Sequence, residues 1–149
     1  MKRQDKYPET KWFHYNNANP KNRLTEDCYV RATCVATTLP YDYVVEHLVQ
    51  ESLKSGYAIA SKNNIVAFFK RLHIPMEKQP KNGSRKLTGK QFCEMFPKGR
   101  YVCFIGGHHI TAIVDGKIND TWDCSEKTIG NYFNITPMFD DTIDSDIPY

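Results

Sequence analysis

Residues 26–39, EDCYVRATCVATTL, form the segment that most restricts the fold of this chain. Its apolar and small side chains recur with the 3.6-residue period of a helix, at positions 28, 32, 35, 36 and 39. Asp27 stands just ahead of them as a possible N-cap. The pattern therefore predicts a buried helix with Cys28 in its first turn, and Arg31 is expected to form an ion pair with a nearby acid.

Cys28 is placed where ionisation of its thiol is favoured. The N–H groups of the first helical turn and the helix dipole stabilise negative charge, and a neighbouring histidine would lower the pKa of the thiol further. The thiolate is the form that attacks a carbonyl carbon. Cys28 is thus a candidate nucleophile, and a histidine brought close to it by the fold would complete its activation.

Helices precede strands in the predicted order of elements. Beyond the first helix, apolar spacing and capping residues predict helices over about 42–55, over 61–72 with Ser61 as N-cap, and over a short stretch that begins at the capping box of Thr88 and Gln91. Alternating apolar residues then predict strands over 100–105, 110–114 and 117–122, a further strand or short helix over 129–135, and a short strand or extended arm over 11–15. This order indicates an α+β fold with a helical half followed by an antiparallel β-sheet.

The predicted domain boundaries follow from composition. Residues 1–10 are expected to be disordered, residues 11–139 to form a single domain, and residues 140–149, which include four aspartates, to form an acidic disordered tail. The longest apolar runs, at 65–69 and 101–105, have five residues, far too few to span a bilayer. No export signal is visible, so we expect a cytoplasmic protein without membrane contact.

Two histidines, His108 and His109, stand where a predicted strand begins. Gly106 and Gly107 precede them and allow a substrate or another chain to approach closely. Because successive side chains of a strand point to opposite faces, only one of the two histidines can face the helix that carries Cys28. The neighbouring residues leave open which of the two does so.

Asp120 is the candidate partner of that histidine. Asp115 and Gly116 predict a two-residue hairpin turn, and antiparallel pairing about it returns Asp120 to the start of the histidine strand. A carboxylate at that place accepts the second imidazole N–H, fixes the tautomer and stabilises the cationic ring. Asp123, which follows Trp122, is the alternative carboxylate.

The order of these motifs resembles that of papain-like cysteine peptidases. In that family a cysteine begins a helix, a histidine opens a strand, and Asn-Ser-Trp typically follows where this chain has Asp120, Thr121 and Trp122. The sequences DCYVRA and GGHHITAIVDGKINDTWD are similar to those of small papain-like proteins of bacteriophages and bacteria, which usually read D-C-x-x-R-A, G-H-x-x-A-x-x-D-G and D-T-W-D. That pattern selects His109 rather than His108.

The resemblance implies a papain-like cysteine peptidase fold and a set of site residues. Cys28, His109 and Asp120 would form a catalytic triad, and Asn22, six residues before Cys28, matches the offset of the oxyanion-hole glutamine. The residues expected to form the pocket rim or to shield the triad are His108, Trp122 and Gly107. The implied activity is that of a cysteine hydrolase, which cleaves an amide, peptide or isopeptide bond of a protein or peptide substrate through a thioester, without a cofactor.

The remaining cysteines and histidines give no sign of a metal site or a disulfide scaffold. Cysteines 28, 34, 93, 103 and 124 are odd in number and include no C-x-x-C pair. We therefore expect no metal, and we expect Cys34, Cys93 and Cys103 to be structural and Cys124 to lie at a surface or an edge.

Charge is unevenly distributed along the chain. The segment from Lys62 to Arg100 contains ten Lys or Arg but only Glu77 and Glu94 as acids. This segment is either a solvated face or a surface for an acidic partner, and the acidic tail of the same chain is an alternative occupant of that surface. No nucleic-acid-binding motif is present, so nucleic acid is not an expected partner.

The basic segment also supports a second functional hypothesis from a different class. A host-directed binding or anti-defence protein of bacteriophage type would use the same scaffold with a dispensable triad. In that case the segment from Lys62 to Arg100 would capture the partner, which could be a host protein, and the host cytoplasm would be its location.

Overall fold

The structure is a computed structural model that describes residues 1–139. Its helices are α1 (Arg3–Lys6), α2 (Cys28–Thr37), α3 (Tyr41–Ser55), α4 (Lys62–Arg71) and α5 (Gly89–Met95). Its strands are β1 (Phe13–Tyr15), β2 (Met76–Glu77), β3 (Lys81–Asn82), β4 (Arg85–Lys86), β5 (Arg100–Ile105), β6 (His109–Val114), β7 (Lys117–Asp120) and β8 (Ile129–Asn134), and a 3₁₀ helix spans Thr136–Phe139. The predicted α+β class is confirmed.

A six-stranded sheet with the order β1-β7-β6-β5-β8-β2 forms the centre of the fold. Its neighbouring strands pair antiparallel, except that β1 runs parallel to β7. The sheet is therefore mostly antiparallel rather than wholly so. Strands β3 and β4 form a separate two-stranded hairpin.

Helices α2, α3 and α4 cover one face of the sheet. Their buried side chains join those of the sheet in one apolar cluster, in which the ring of Phe69 stacks on Phe133 with the centroids 4.3 Å apart. The predicted N-cap at Ser61 is confirmed, because its side chain accepts a hydrogen bond from the Asn64 N–H at the start of α4. Helix α3 ends at residue 55 as predicted, followed by Gly56 at φ 81°.

The opposite face of the sheet packs against α5 and the N-terminal segment. Phe13 and Phe92 are fully buried there, together with Ile118 of β7. The capping box predicted at the start of α5 is present, since the Thr88 and Gln91 side chains each accept a hydrogen bond from the other residue's backbone N–H. Because both faces of the sheet are buried, the strands that carry His109 and Asp120 are held in fixed positions.

Helix α2 is buried on most of its circumference because it lies between α3 and the sheet. Its buried residues include polar ones, and their side chains have partners within the protein. The hydroxyls of Thr33 and Thr37 donate to the carbonyls one turn earlier, at 2.7 and 2.6 Å. A helix that buries polar groups in this way has its position against the sheet closely determined.

The β6–β7 hairpin has the predicted two-residue turn. Asp115 and Gly116 both have positive φ, 48° and 75°, as the turn type favoured in hairpins requires. Ala112 pairs with Asn119 across the hairpin, which places the next residue of β7, Asp120, opposite Thr111. The register is the one that brings Asp120 back towards the start of β6.

The N-terminus differs from its prediction. Residues 1–10 were expected to be disordered, but Arg3–Lys6 is helical and the Arg3 Nε donates to the carbonyl of Thr121 at 2.7 Å. The Tyr7 ring packs edge-on against Phe13, with the centroids 6.5 Å apart. These long-range contacts hold the segment against the domain. The acidic tail predicted for residues 140–149 lies outside the described residues.

Two smaller expectations also need correction. Cys124, expected at a surface or an edge, is fully buried, and β7 ends at Asp120 rather than at Trp122.

Among residues 1–139, no helix is both long enough and apolar enough to cross a membrane.

Candidate active site

Cys28, His109 and Asp120 are placed by the ends of three elements. Cys28 is the first residue of α2, His109 the first of β6 and Asp120 the last of β7. The turn before β6 contains Gly106 and Gly107 at φ 65° and 89°, backbone angles that favour glycine. The tight turns and the packing of α2 on the sheet bring these three side chains together.

His109 links the other two side chains. Its Nε2 lies 2.6 Å from Asp120 Oδ2. This leaves Nδ1 for the Cys28 thiol, and the interaction between His109 and Cys28 lowers the pKa of the thiol and raises that of the imidazole. Asp120 thereby fixes the ring in the orientation in which its second nitrogen can exchange a proton with sulfur.

The pKa values of Cys28 and His109 are shifted towards their charged forms. Burial by itself would raise the pKa of Cys28, but the hydrogen bonds from His109 and from the Ile110 backbone, with the positive charges of His109 and Arg31, lower it overall. Burial likewise opposes the charged form of His109, yet its bonds to Asp120 and Cys28 raise its pKa to about 9. A thiolate and an imidazolium therefore stabilise each other in this site.

The Asp120 carboxylate is buried and fully hydrogen-bonded. Besides His109, it accepts hydrogen bonds from Thr111 Oγ1 at 2.6 Å, the Thr121 N–H at 2.7 Å and Arg31 Nη1 at 3.1 Å. Burial raises the pKa of this carboxyl group, but the bonds and charges of its partners more than offset that effect and lower it. Asp120 therefore remains a carboxylate that balances the charge on His109.

Arg31 connects Asp120 to a second buried carboxylate, that of Asp27. Its Nε donates to Asp27 Oδ1 at 2.8 Å while Nη1 donates to Asp120. The other Asp27 oxygen accepts hydrogen bonds from the Tyr41 hydroxyl at 2.7 Å and the Asn19 amide at 2.9 Å. The ion pair expected for Arg31 is confirmed, and it joins α2 to the histidine–aspartate pair.

Asp27 does not cap α2 with its side chain, contrary to its expected role. It occupies the N-cap position, but its carboxylate makes no capping hydrogen bond and turns towards Arg31 instead. Burial raises the pKa of Asp27, and the bonds from Asn19, Tyr41 and Arg31 outweigh it and lower the pKa. The first-turn amides of α2 are therefore not occupied by this carboxylate.

Trp122 and a cleft of about 600 Å³ adjoin the three residues. The Trp122 ring lies against the His109 ring, with the centroids 5.0 Å apart. Cys28, His109 and Trp122 line the cleft, and the exposed His108 lies at its rim. Gly107 lines a neighbouring cleft instead. The thiol is thus accessible from a cavity large enough for a small molecule or a few residues of a peptide.

Protein-family models, curated proteins and solved structures gave no match to this chain. Any function therefore has to be argued from the geometry of its own residues.

Asn22, the residue predicted to bind the oxyanion, does not line this cleft. It occupies an exposed turn at φ 53°, where its N–H donates to the Asn19 carbonyl at 2.9 Å. Its side-chain oxygen accepts from the Asn17 amide at 3.4 Å, and it is absent from the residues that line the cleft. Both contacts lie within its own loop, so they give no support to the oxyanion role predicted for Asn22.

The alternative residues lie apart from this arrangement. Asp123 Oδ1 accepts a hydrogen bond from the Ser125 N–H at 3.0 Å, whereas Asp120 takes the bond from His109. Burial raises the pKa of Cys34 to about 12, and that of Cys93 also to about 12. These two thiols are protonated at neutral pH, whereas the pKa of the Cys28 thiol is lowered from its ordinary value.

One group of side chains contains the residue types of a metal site, but the charges in and around it do not favour a metal ion. His109, Asp120 and Cys124 offer ligand atoms within 4.8 Å of one another. Burial raises the pKa of Cys124 well above its ordinary value, and the Arg31 guanidinium already binds the Asp120 carboxylate. A neutral thiol and an adjacent fixed cation disfavour a metal ion, so we assign these residues to the hydrogen-bond network.

Thr111 and Asn19 are the supporting residues that the sequence analysis missed. Thr111 could have been found, because it lies two residues after His109 on β6 and so points to the same face. Asn19 lies in an irregular loop, where no periodic pattern indicates the direction of a side chain. Its contact with Asp27 depends on the tertiary fold.

Proposed function

We propose that this chain is a papain-like cysteine hydrolase that cleaves an amide, peptide or isopeptide bond through a thioester on Cys28. The observation that carries this proposal is the connected set of Cys28, His109 and Asp120, in which the pKa of the thiol is lowered and that of the imidazole is raised. A nucleophile, a base and a group that orients the base are the parts that covalent catalysis by a thiol requires.

The reaction follows from these protonation states. The Cys28 sulfur bonds to the carbonyl carbon, and as the bond to the leaving group breaks, the His109 imidazolium gives its proton to the departing nitrogen. Neutral His109 then accepts a proton from water, whose oxygen attacks the thioester. The carboxylic acid leaves, and the thiolate and imidazolium are restored. Asp120 holds the ring in place throughout and does not itself transfer a proton.

The backbone N–H of Cys28 is suited to stabilise the oxyanion, the negative oxygen that forms when the sulfur bonds to the carbonyl carbon. Cys28 is the first residue of α2, where N–H groups have no intrahelical acceptor, and the Asp27 side chain makes no capping bond there. A negative oxygen on the attacked carbon would lie at the positive end of the helix dipole. This backbone group takes over the role that the sequence suggested for Asn22.

Alkylation by iodoacetamide tests whether Cys28 is activated. We expect Cys28 to be labelled faster than an ordinary thiol at about pH 6, because its lowered pKa increases the thiolate fraction there. Replacing His109 with Ala should slow this labelling strongly, since each unit of increase in the thiol pKa lowers the thiolate fraction about tenfold. The measurement is the rate of Cys28 modification between pH 5 and 9, followed by mass spectrometry.

His108→Ala is the matched control, because it removes an exposed imidazole that is not bonded to Asp120. It should leave the rate unchanged, and Cys34 should react slowly in each protein. Cys28 labelling with a midpoint near the free-thiol pKa of about 8.5, insensitive to His109→Ala, would contradict the proposal. That outcome would favour the alternative hypothesis of a binding protein with a dispensable triad.

A further inference from the structure

A second cleft, of about 740 Å³, adjoins the one that exposes Cys28. The two share three lining residues, Ala60, His108 and Ile110. Ile110 directly follows His109, and its backbone contributes to the lowered pKa of the Cys28 thiol. A chain that lies across the thiol can therefore extend from the first cleft into the second.

Three lysines from separate parts of the fold line this second cleft. Lys62 begins α4, Lys86 ends β4, and Lys127 lies between β7 and β8. Within residues 1–139, none of the three forms a salt bridge. Glu126 is the one acid in the lining, and it is paired with Lys90. The cleft therefore has an excess of positive charge.

The wall of the second cleft leaves open space beside the backbone and adds further positive charge. Its wall includes Gly106 and Gly107, and the space around the Gly107 Cα is open, with no atom within 4 Å of where a Cβ would lie. The N-terminus of α4 adds the positive end of a ten-residue helix dipole. The Lys62 ammonium lies 5.5 Å from the centroid of the Phe104 ring, within the cleft.

We propose that the second cleft is an anionic subsite that binds Asp or Glu side chains of an acidic polypeptide substrate, with the scissile bond at Cys28. This inference rests on the proposed function and names its substrate class. The sequence left open whether the segment from Lys62 to Arg100 is a solvated face or a surface for an acidic partner. Of the ten basic residues in that segment, Lys62 and Lys86 line the second cleft. Lys127, which lies outside the segment, lines it as well.

A pair of peptide electrophiles tests the subsite without knowledge of the natural substrate. Two peptidyl chloromethyl ketones are compared, one with two aspartates before the reactive group and one with asparagines in their place. We expect the acidic reagent to alkylate Cys28 about tenfold faster than the neutral one at low salt, because three lysines attract its carboxylates. The preference should decrease as ionic strength rises.

The variant Lys62→Glu/Lys86→Glu/Lys127→Glu should remove or reverse this preference. The matched control is Lys21→Glu/Lys54→Glu/Lys98→Glu, which makes the same change in net charge at exposed lysines outside the second cleft. The control should retain the preference. Equal rates for both reagents in the wild type, or loss of the preference in the control as well, would overturn the subsite.

Iodoacetamide separates failure of the subsite from failure of the proposed function. This uncharged reagent should label Cys28 equally fast in the wild type and in both triple variants. If iodoacetamide labels Cys28 rapidly but the two peptide reagents react alike, the subsite is wrong and the activated thiol stands. If Cys28 is not activated, the proposed function is wrong.

Binding to the Cys28→Ala protein then tests the cleft independently of chemistry. Fluorescence anisotropy should show that a rhodamine-labelled aspartate-rich peptide binds this protein and its Lys21→Glu/Lys54→Glu/Lys98→Glu form, but not its Lys62→Glu/Lys86→Glu/Lys127→Glu form. Tighter binding of a single-stranded oligonucleotide than of the peptide would overturn the assignment to an acidic polypeptide.

Discussion

Asp120→Asn is expected to slow acylation of Cys28 by about 10²- to 10⁴-fold. The asparagine keeps the size of the side chain but removes the negative charge that faces His109 Nε2 at 2.6 Å. Oδ1 of Asp120 faces the Arg31 Nη1 and Thr121 N–H donors, so an asparagine keeps its oxygen on that side and directs its N–H groups at Nε2, unlike the asparagine of the papain-like motif. Such an amide favours the wrong tautomer of the ring, and the His109 imidazolium loses its stabilising charge. The thiol pKa then rises, and fewer molecules hold the reactive ion pair.

The burst of nitrophenolate from p-nitrophenyl acetate measures this step, together with the acetyl group found on the Cys28 peptide by mass spectrometry. Cys28→Ala sets the background rate. Asp123→Asn is the matched control, because it makes the same change three residues later at a carboxylate that bonds the Ser125 N–H instead. Equal bursts from Asp120→Asn and the wild type would show that Asp120 does not orient His109.

The elements that sequence predicted well depend on local chemistry. The hairpin at Asp115 and Gly116 follows from two residues that tolerate positive φ, and the caps at Ser61 and Thr88 follow from hydroxyls that accept N–H groups of the next turn. The convergence of His109 and Asp120 follows in turn from the hairpin register. For these residues, a few neighbouring positions in the sequence determine the local structure.

The features that sequence missed depend on contacts between distant segments. Helix α1 is held by a bond to Thr121, more than a hundred residues away, and β1 pairs parallel with β7 although no local pattern specifies the direction. The direction of the Asn22 side chain could not be predicted for the same reason, because a sequence offset does not determine where a loop side chain points. The hydrogen bond from Arg31 to Asp120 likewise depends on how α2 packs against the sheet, which no local pattern specifies.

Arg31→Met is expected to destabilise the protein by about 3–5 kcal/mol at pH 7. Methionine has a similar length but no charge, so Asp27 and Asp120 would remain buried without the cation that bridges them. This loss is a large share of the ~5–15 kcal/mol that stabilises a typical domain. The measurement is the free energy of unfolding in urea, followed by tryptophan fluorescence. Arg23→Met, at an exposed position, should stay within about 0.5 kcal/mol of the wild type.

The pH dependence of the difference in unfolding free energy between the wild type and Arg31→Met separates a charge effect from a packing effect. In the wild type the pKa values of Asp27 and Asp120 are lowered by folding, so the stability they contribute is fully present above the unfolded pKa of about 3.9 and is lost as the pH falls through the folded values. Removing Arg31 raises both folded pKa values, and the variant therefore loses less stability on acidification. The gap between wild type and Arg31→Met should be largest above about pH 5 and should shrink below about pH 4. A gap that is the same at every pH would show that Arg31 acts through packing alone, and that its charge does not hold the carboxylate that orients His109.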